Sequence, residues 1–143
     1  MKQIWTGFLC LALFACATTV NVINYTPDLS NIEDPISTIK NTLEQQPPAY
    51  AYVPVKVEVT DQMMAVYMLE SGLFKLGTSI VPTVFYYKTL GDPRLSRSTR
   101  ANFIWNIEIF DKYGNSLYWV FTDSEKQAKD FVDALVYMIR SKT

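Results

Sequence analysis

Residues 102–142, NFIWNIEIFDKYGNSLYWVFTDSEKQAKDFVDALVYMIRSK, decide how the rest of the chain is read. Phe103, Trp105, Ile107 and Ile109 fall on one side of an extended chain and Asn106 and Glu108 on the other, the period-2 pattern of a half-buried strand whose core face carries Trp105. Asp111, Lys112, Tyr113, Gly114 and Asn115 bring turn chemistry, and Gly114 tolerates a positive φ. The chain returns through Leu117, Trp119 and Phe121 alternating with Ser116, Tyr118 and Val120, which completes a hairpin. Thr122 followed by Glu125 forms a capping box, with Asp123 as a second cap, and predicts a helix from about Asp123 or Ser124. Ala128, Phe131, Val132, Leu135, Met138 and Ile139 recur at spacings of three and four. Glu125, Lys126, Lys129, Asp130, Asp133 and Arg140 face the other way. Burying Phe131, Leu135 and Ile139 contributes roughly 2 kcal/mol each, so this helix is built to close a sheet.

Upstream, strands and one helix precede this unit. Asp34 then Pro35 reads as a cap and a first helical residue, and Ile36, Ile39 and Leu43 keep helical spacing, so a short helix is predicted over residues 35–46, before Pro47 and Pro48. Val53, Val55, Val57 and Val59 alternate with Pro54, Lys56, Glu58 and Thr60. After Asp61 and Gln62 the apolar run Met63 to Leu69 returns as a second strand. Residues 72–77 hold a possible short strand, Ser79 to Lys88 a stronger one with Pro82 marking an edge or bulge, and a brief strand surrounds Leu95.

The first residues carry an address. Lys2 precedes an apolar run of 11 residues, Ile4 to Phe14, too short to span a bilayer at ~20 residues and suited to a secretory signal. Leu13, Phe14, Ala15 and Cys16 resemble the lipobox of bacterial lipoproteins, with Phe14 standing where smaller residues are common. The resemblance implies cleavage before Cys16, acylation of its thiol, and a membrane-anchored protein facing the periplasm or the cell surface. Ala17, which is not a retention-type Asp, implies outer-membrane sorting in a two-membrane bacterium. The alternative is an ordinary signal cut near Ala15 to Ala17, with Cys16 a plain thiol. Either way residues 1–15 form the signal, 16–33 a tether and 34–143 the folded domain.

The element order resembles the pleckstrin-homology-like superfold. The likeness rests on Asn102 to Asp111, Ser116 to Asp123 and the closing segment DSEKQAKDFVDAL, Asp123 to Leu135. It implies an α+β domain: a small antiparallel bent barrel or sandwich of about seven strands, closed by the C-terminal amphipathic helix, with the short helix at Pro35 added. An α+β sheet with both helices on one face fits the same order. Phosphoinositide-binding members carry a basic loop between their first two strands; here Thr60, Asp61 and Gln62 form a short acidic one, so that activity is not implied.

Composition narrows the chemistry. The 143 residues are 49% hydrophobic and 14% aromatic, enough for one core. Thirteen basic against 14 acidic residues give −1, and loss of Lys2 leaves 12 against 14, or −2, a poor balance for nucleic-acid binding. Cys10 leaves with the signal, so the mature chain forms no intrachain disulfide. The chain has no histidine and its five glycines are isolated, so imidazole catalysis, histidine metal sites and a Gly-rich phosphate loop are excluded. Glu58, Asp61, Glu70 and Glu108 read as the wet sides of strands. No cofactor and no catalytic residue is assigned.

Two surfaces are candidates for binding. Lys88, Arg94, Arg97 and Arg100 surround a single acid, Asp92, and would hold an anionic partner; Tyr86, Tyr87, Tyr113 and Tyr118 lie on or near strands. The reading that follows is a non-catalytic, lipid-anchored envelope module that binds another envelope component through that segment or an open sheet edge. The alternative is a soluble exported carrier of a small apolar ligand, with Met63, Met64, Met68 and Met138 lining its cavity.

Overall fold

The computed structural model describes residues 20–47, 53–70, 79–98 and 104–142. The protein is α+β. In chain order come β1 (Val20–Val22), α1 (Pro35–Glu44), β2 (Lys56–Val59), β3 (Met63–Glu70) and β4 (Ser79–Tyr86). A 3₁₀ turn at Tyr87–Thr89 leads to β5 (Arg94–Ser98), β6 (Trp105–Phe110), β7 (Ser116–Thr122) and α2 (Glu125–Arg140). All pairings are antiparallel, in a four-stranded sheet ordered β1-β5-β6-β7 and a three-stranded sheet ordered β2-β3-β4. Among the described residues no helix is long and apolar enough to cross a membrane.

The predicted hairpin and closing helix lie where the periodicity puts them. Trp105, Ile107 and Ile109 are buried and join Phe131, Leu135 and Ile139 of α2 in one core, which also takes Met64, Val66 and Phe85 from the other sheet. Asp111 Oδ1 accepts from the N–H of Tyr113 at 2.8 Å and of Asn115 at 2.9 Å, and Gly114 takes φ 86°, so the turn uses both features read from the sequence. The helix cap differs. Ser124 is the N-cap, its Oγ accepting from Gln127 N at 3.2 Å, while Thr122 sits one step earlier and accepts from Ser124 N at 3.1 Å. Ser124 is therefore the cap in place of Thr122, and Thr122 Oγ1, rather than a residue at the third helical position, takes the N–H of the cap residue.

Three expectations are corrected. The barrel does not close. Both edges of β5 are taken, by β6 and β1, so β4 does not pair with the strand that follows it, and the 3₁₀ turn followed by Gly91 and Pro93 carries the chain from one sheet to the other. The segment read as a tether, residues 16–33, is from Val20 onward part of the fold. β1 pairs with β5, Ile23 N donates to Leu95 O at 2.9 Å, and Ile23, Tyr25 and Leu29 pack on the core. The first element along the described chain is thus a strand, with α1 second and ending at Glu44 rather than at residue 46. In β7, both of whose faces are apolar in sequence, Val120 is buried and Tyr118 packs against the core, while Leu117 and Trp119 face outward.

α1 is fixed at both ends. Asp34 Oδ1 caps it by accepting from Ser37 N at 3.0 Å. Past its C-terminus, buried Gln46 donates to Leu43 O at 3.2 Å and accepts from Phe121 N at 3.1 Å, which ties the helix to β7. The strap before it is held by Asp133 of α2, whose two carboxylate oxygens each accept from Tyr25 O–H at 2.9 Å.

Candidate binding surfaces

The basic residues do not converge. Cys16 and Arg100 lie outside the described residues, and Lys88 is exposed on the 3₁₀ turn. Arg94 and Arg97, three apart on β5, project to opposite faces of the sheet. The Arg94 guanidinium lies 3.5 Å from the Glu108 carboxylate and 4.8 Å from the Phe110 ring centre. That of Arg97 lies 5.3 Å from the Trp105 ring centre on the core side. What reads in sequence as a basic loop is a strand that distributes its charges between two surfaces.

The acids are dispersed as well. Glu58 meets Lys56 at 2.5 Å and accepts from Tyr67 O–H at 2.8 Å, and this ion pair and hydrogen bond hold its carboxyl below the usual range. Asp61 faces Lys142 at 3.6 Å. Among the described residues no group of three or more His, Cys, Asp or Glu side chains is placed to hold a metal ion. Of the four tyrosines, Tyr87 is fully buried and Tyr118 packs at 5.5 Å on Phe85, leaving Tyr86 and Tyr113 at the surface.

A groove of about 680 Å³ runs between the strap, the Gly91–Leu95 segment and α2, with Ile23, Val132 and Val136 on its floor and Arg94, Asp92 and Lys112 around it. No methionine lines it; Met64 and Met138 are in the core.

Two sheet surfaces are more open. The first is β4, seven of whose eight residues are exposed. Tyr87 N donates to Gln62 O at 3.1 Å in continuation of the β3–β4 register. Antiparallel alternation then turns the backbone groups of Ser79, Val81, Thr83 and Phe85 toward β3 and those of Ile80, Pro82, Val84 and Tyr86 toward the open side. Pro82, which lacks an N–H, thus has its missing donor on the free edge, the position a strand proline requires. Side chains on the same face are apolar and wet: Ile80 is 57% exposed, its cross-strand partner Leu69 52%, and Val84 42%.

The second is the face of the four-stranded sheet turned away from α2. The register sets Val22, Ser96, Asn106 and Phe121 in one row and Arg94, Glu108 and Trp119 in the next. The Trp119 and Phe121 rings lie 6.5 Å apart with planes 19° from parallel. Ser96, Asn106 and Glu108 are buried, while Val20, Val22, Leu117 and Trp119 remain exposed. The sequence leaves the side of Trp119 open because both faces of β7 are apolar, and period 2 fixes alternation but not its phase.

Comparison with protein-family models, with curated proteins and with solved structures finds no match to this chain.

Proposed function

We propose that this chain is an exported, lipid-anchored and non-catalytic module of a bacterial cell envelope, carrying acyl groups on Cys16, whose pleckstrin-homology-like body recruits an extended segment of an envelope protein along β4. The observation that carries this reading is the edge of β4 that no described strand pairs, where the carbonyls of Ile80, Pro82 and Val84 and the N–H groups of Ile80, Val84 and Tyr86 point away from the sheet, the Tyr86 carbonyl accepting from Thr89 Oγ1 at 2.7 Å. Main-chain pairing supplies affinity and the exposed Ile80, Val84 and Leu69 side chains supply selectivity. A heterologous strand suits this edge better than a second copy. Self-pairing would bring the Pro82 gap from both sides and forgo two bonds, whereas a partner strand forgoes one. Two antiparallel sheets over a closing helix support the superfold reading, with β1 added to the second sheet.

The test is photo-crosslinking from position 80 in membranes, with and without a Val84→Pro substitution that removes a second edge donor. Recovery of the crosslinked partner should fall about tenfold in that variant, the equivalent of roughly one backbone hydrogen bond. Equal recovery from the variant and the parent would remove β4 as the docking edge.

A further inference from the structure

We propose that the face of the four-stranded sheet opposite α2 rests on the headgroup layer of the membrane that holds the Cys16 lipid; this rests on the lipid-anchor reading above. Only Ala17, Thr18 and Thr19 stand between Cys16 and Val20, the first residue of β1. A peptide of that length reaches at most ~14 Å when fully extended. β1 is an edge strand of this face and places Val20 and Val22 on it. Three strand spacings of ~4.8 Å set β7 about 14 Å across from β1, so β1 stays within the reach of the short peptide and the far edge of the face within roughly 28 Å of the anchor.

The chemistry of the face suits a lipid headgroup layer. Val20, Val22 and Leu117 present small apolar area, and Val22 is 62% exposed. Trp119, 39% exposed, offers an indole that is apolar over its ring and polar at its N–H, the residue type that settles at membrane interfaces. The polar groups that would resist such contact, Ser96, Asn106 and Glu108, are buried, and Glu108 is paired with Arg94. Arg94 remains exposed at the margin, where a guanidinium meets lipid phosphate. The size of the gap decides against a folded protein on this face. A 100-residue domain has a radius of gyration of about 13 Å, hence a diameter larger than the anchor's reach.

The protein supplies its own probe. Removal of Trp5 leaves Trp105, in the core, and Trp119, on the face. The full-length lipidated protein is purified from membranes and its mass is measured. It is then reconstituted into vesicles of phosphatidylethanolamine and phosphatidylglycerol containing a minor fraction of headgroup-spin-labelled lipid. Emission should fall by about half, the share of one of the two remaining tryptophans. Trp119→Phe should abolish the quenching, and Val22→Asp, a surface change on β1, should weaken it while the acyl mass is kept. Unquenched Trp119 in a protein whose mass includes acyl groups overturns the proposal and leaves the anchor standing. A mature chain without acyl groups overturns both.

Discussion

At the scale of single residues, two tyrosines show how burial and partners set opposite outcomes. Tyr25 donates to both oxygens of Asp133, and burial together with this hydrogen bond raises its pKa from 10.0 to about 12. Because the folded value exceeds the unfolded one, the stability this group contributes is fully present below pH 10 and is lost as pH rises through about 12. Asp133 is also raised, by burial first, with the Tyr25 bond opposing the rise. Its contribution is accordingly present below the ordinary value of 3.8 and lost as pH rises through its folded value. Tyr25→Phe removes the opposing bond, so the folded value of Asp133 climbs further and the variant loses about 1–2 kcal/mol at neutral pH. Urea unfolding followed from pH 4 to pH 11 checks this: parent and variant should converge toward acid, and only the parent should lose the Tyr25 contribution above pH 10. Tyr87 is the reverse case. Its hydroxyl is buried without a hydrogen-bond partner among the described residues, and desolvation pushes its pKa up. Removing an unsatisfied hydroxyl from a packed ring is neutral or favourable, so Tyr87→Phe should leave stability equal to the parent or raise it by up to ~1 kcal/mol. A loss of 1 kcal/mol or more in the same measurement would show that the hydroxyl has a partner.

At the scale of elements, α2 and the β6–β7 hairpin were legible because period and turn chemistry agree there. Ala128, Phe131, Val132, Leu135, Met138 and Ile139 are all buried, and Gly114 has the positive φ its turn needs. The cap was misplaced by two residues because three candidate oxygens, on Thr122, Asp123 and Ser124, stand in a row and only geometry selects among them. Ser124→Ala should therefore cost about 1 kcal/mol. Asp123→Ala should cost less than half of that, since Asp123 is exposed and is not the cap. Thermal unfolding of the two variants settles the order. Of the candidate surfaces, Pro82 did announce an edge strand, but the basic segment was misread. Arg94 and Arg97 are close in sequence, and although a brief strand is expected around Leu95, grouping them by charge overlooks that a spacing of three on a strand divides them between faces. The strap carries a signal that was overlooked: Ile23, Tyr25, Pro27 and Leu29 alternate with Asn24, Thr26, Asp28 and Ser30, and the first set is the half-buried one. A short alternation rich in Asn, Asp and Pro lacks β propensity, so composition masked periodicity.

At the scale of the whole molecule, the strap decides how the domain meets its surroundings. If residues 20–33 were a free tether, deleting them would leave the fold intact; instead β1 occupies one edge of β5, and Tyr25 and Asp28 N both bond Asp133. Half-burying Ile23, Tyr25 and Leu29 stabilises the domain by roughly 1 kcal/mol each, and a typical domain holds only 5–15 kcal/mol in all. A chain starting at residue 20 should thus unfold at nearly the same denaturant concentration as the mature protein. A chain starting at residue 31 should lose about 3 kcal/mol and expose the second edge of β5. That edge is the place where closure into a barrel was blocked, so the shortened chain should also self-associate, which sedimentation at rising concentration would reveal. Equal stability and a monomeric short chain would mean that the strap is passive. If both effects appear, the segment that reads as a tether is a strand of the fold, which both stabilises the domain and covers an edge that would otherwise pair with a second copy.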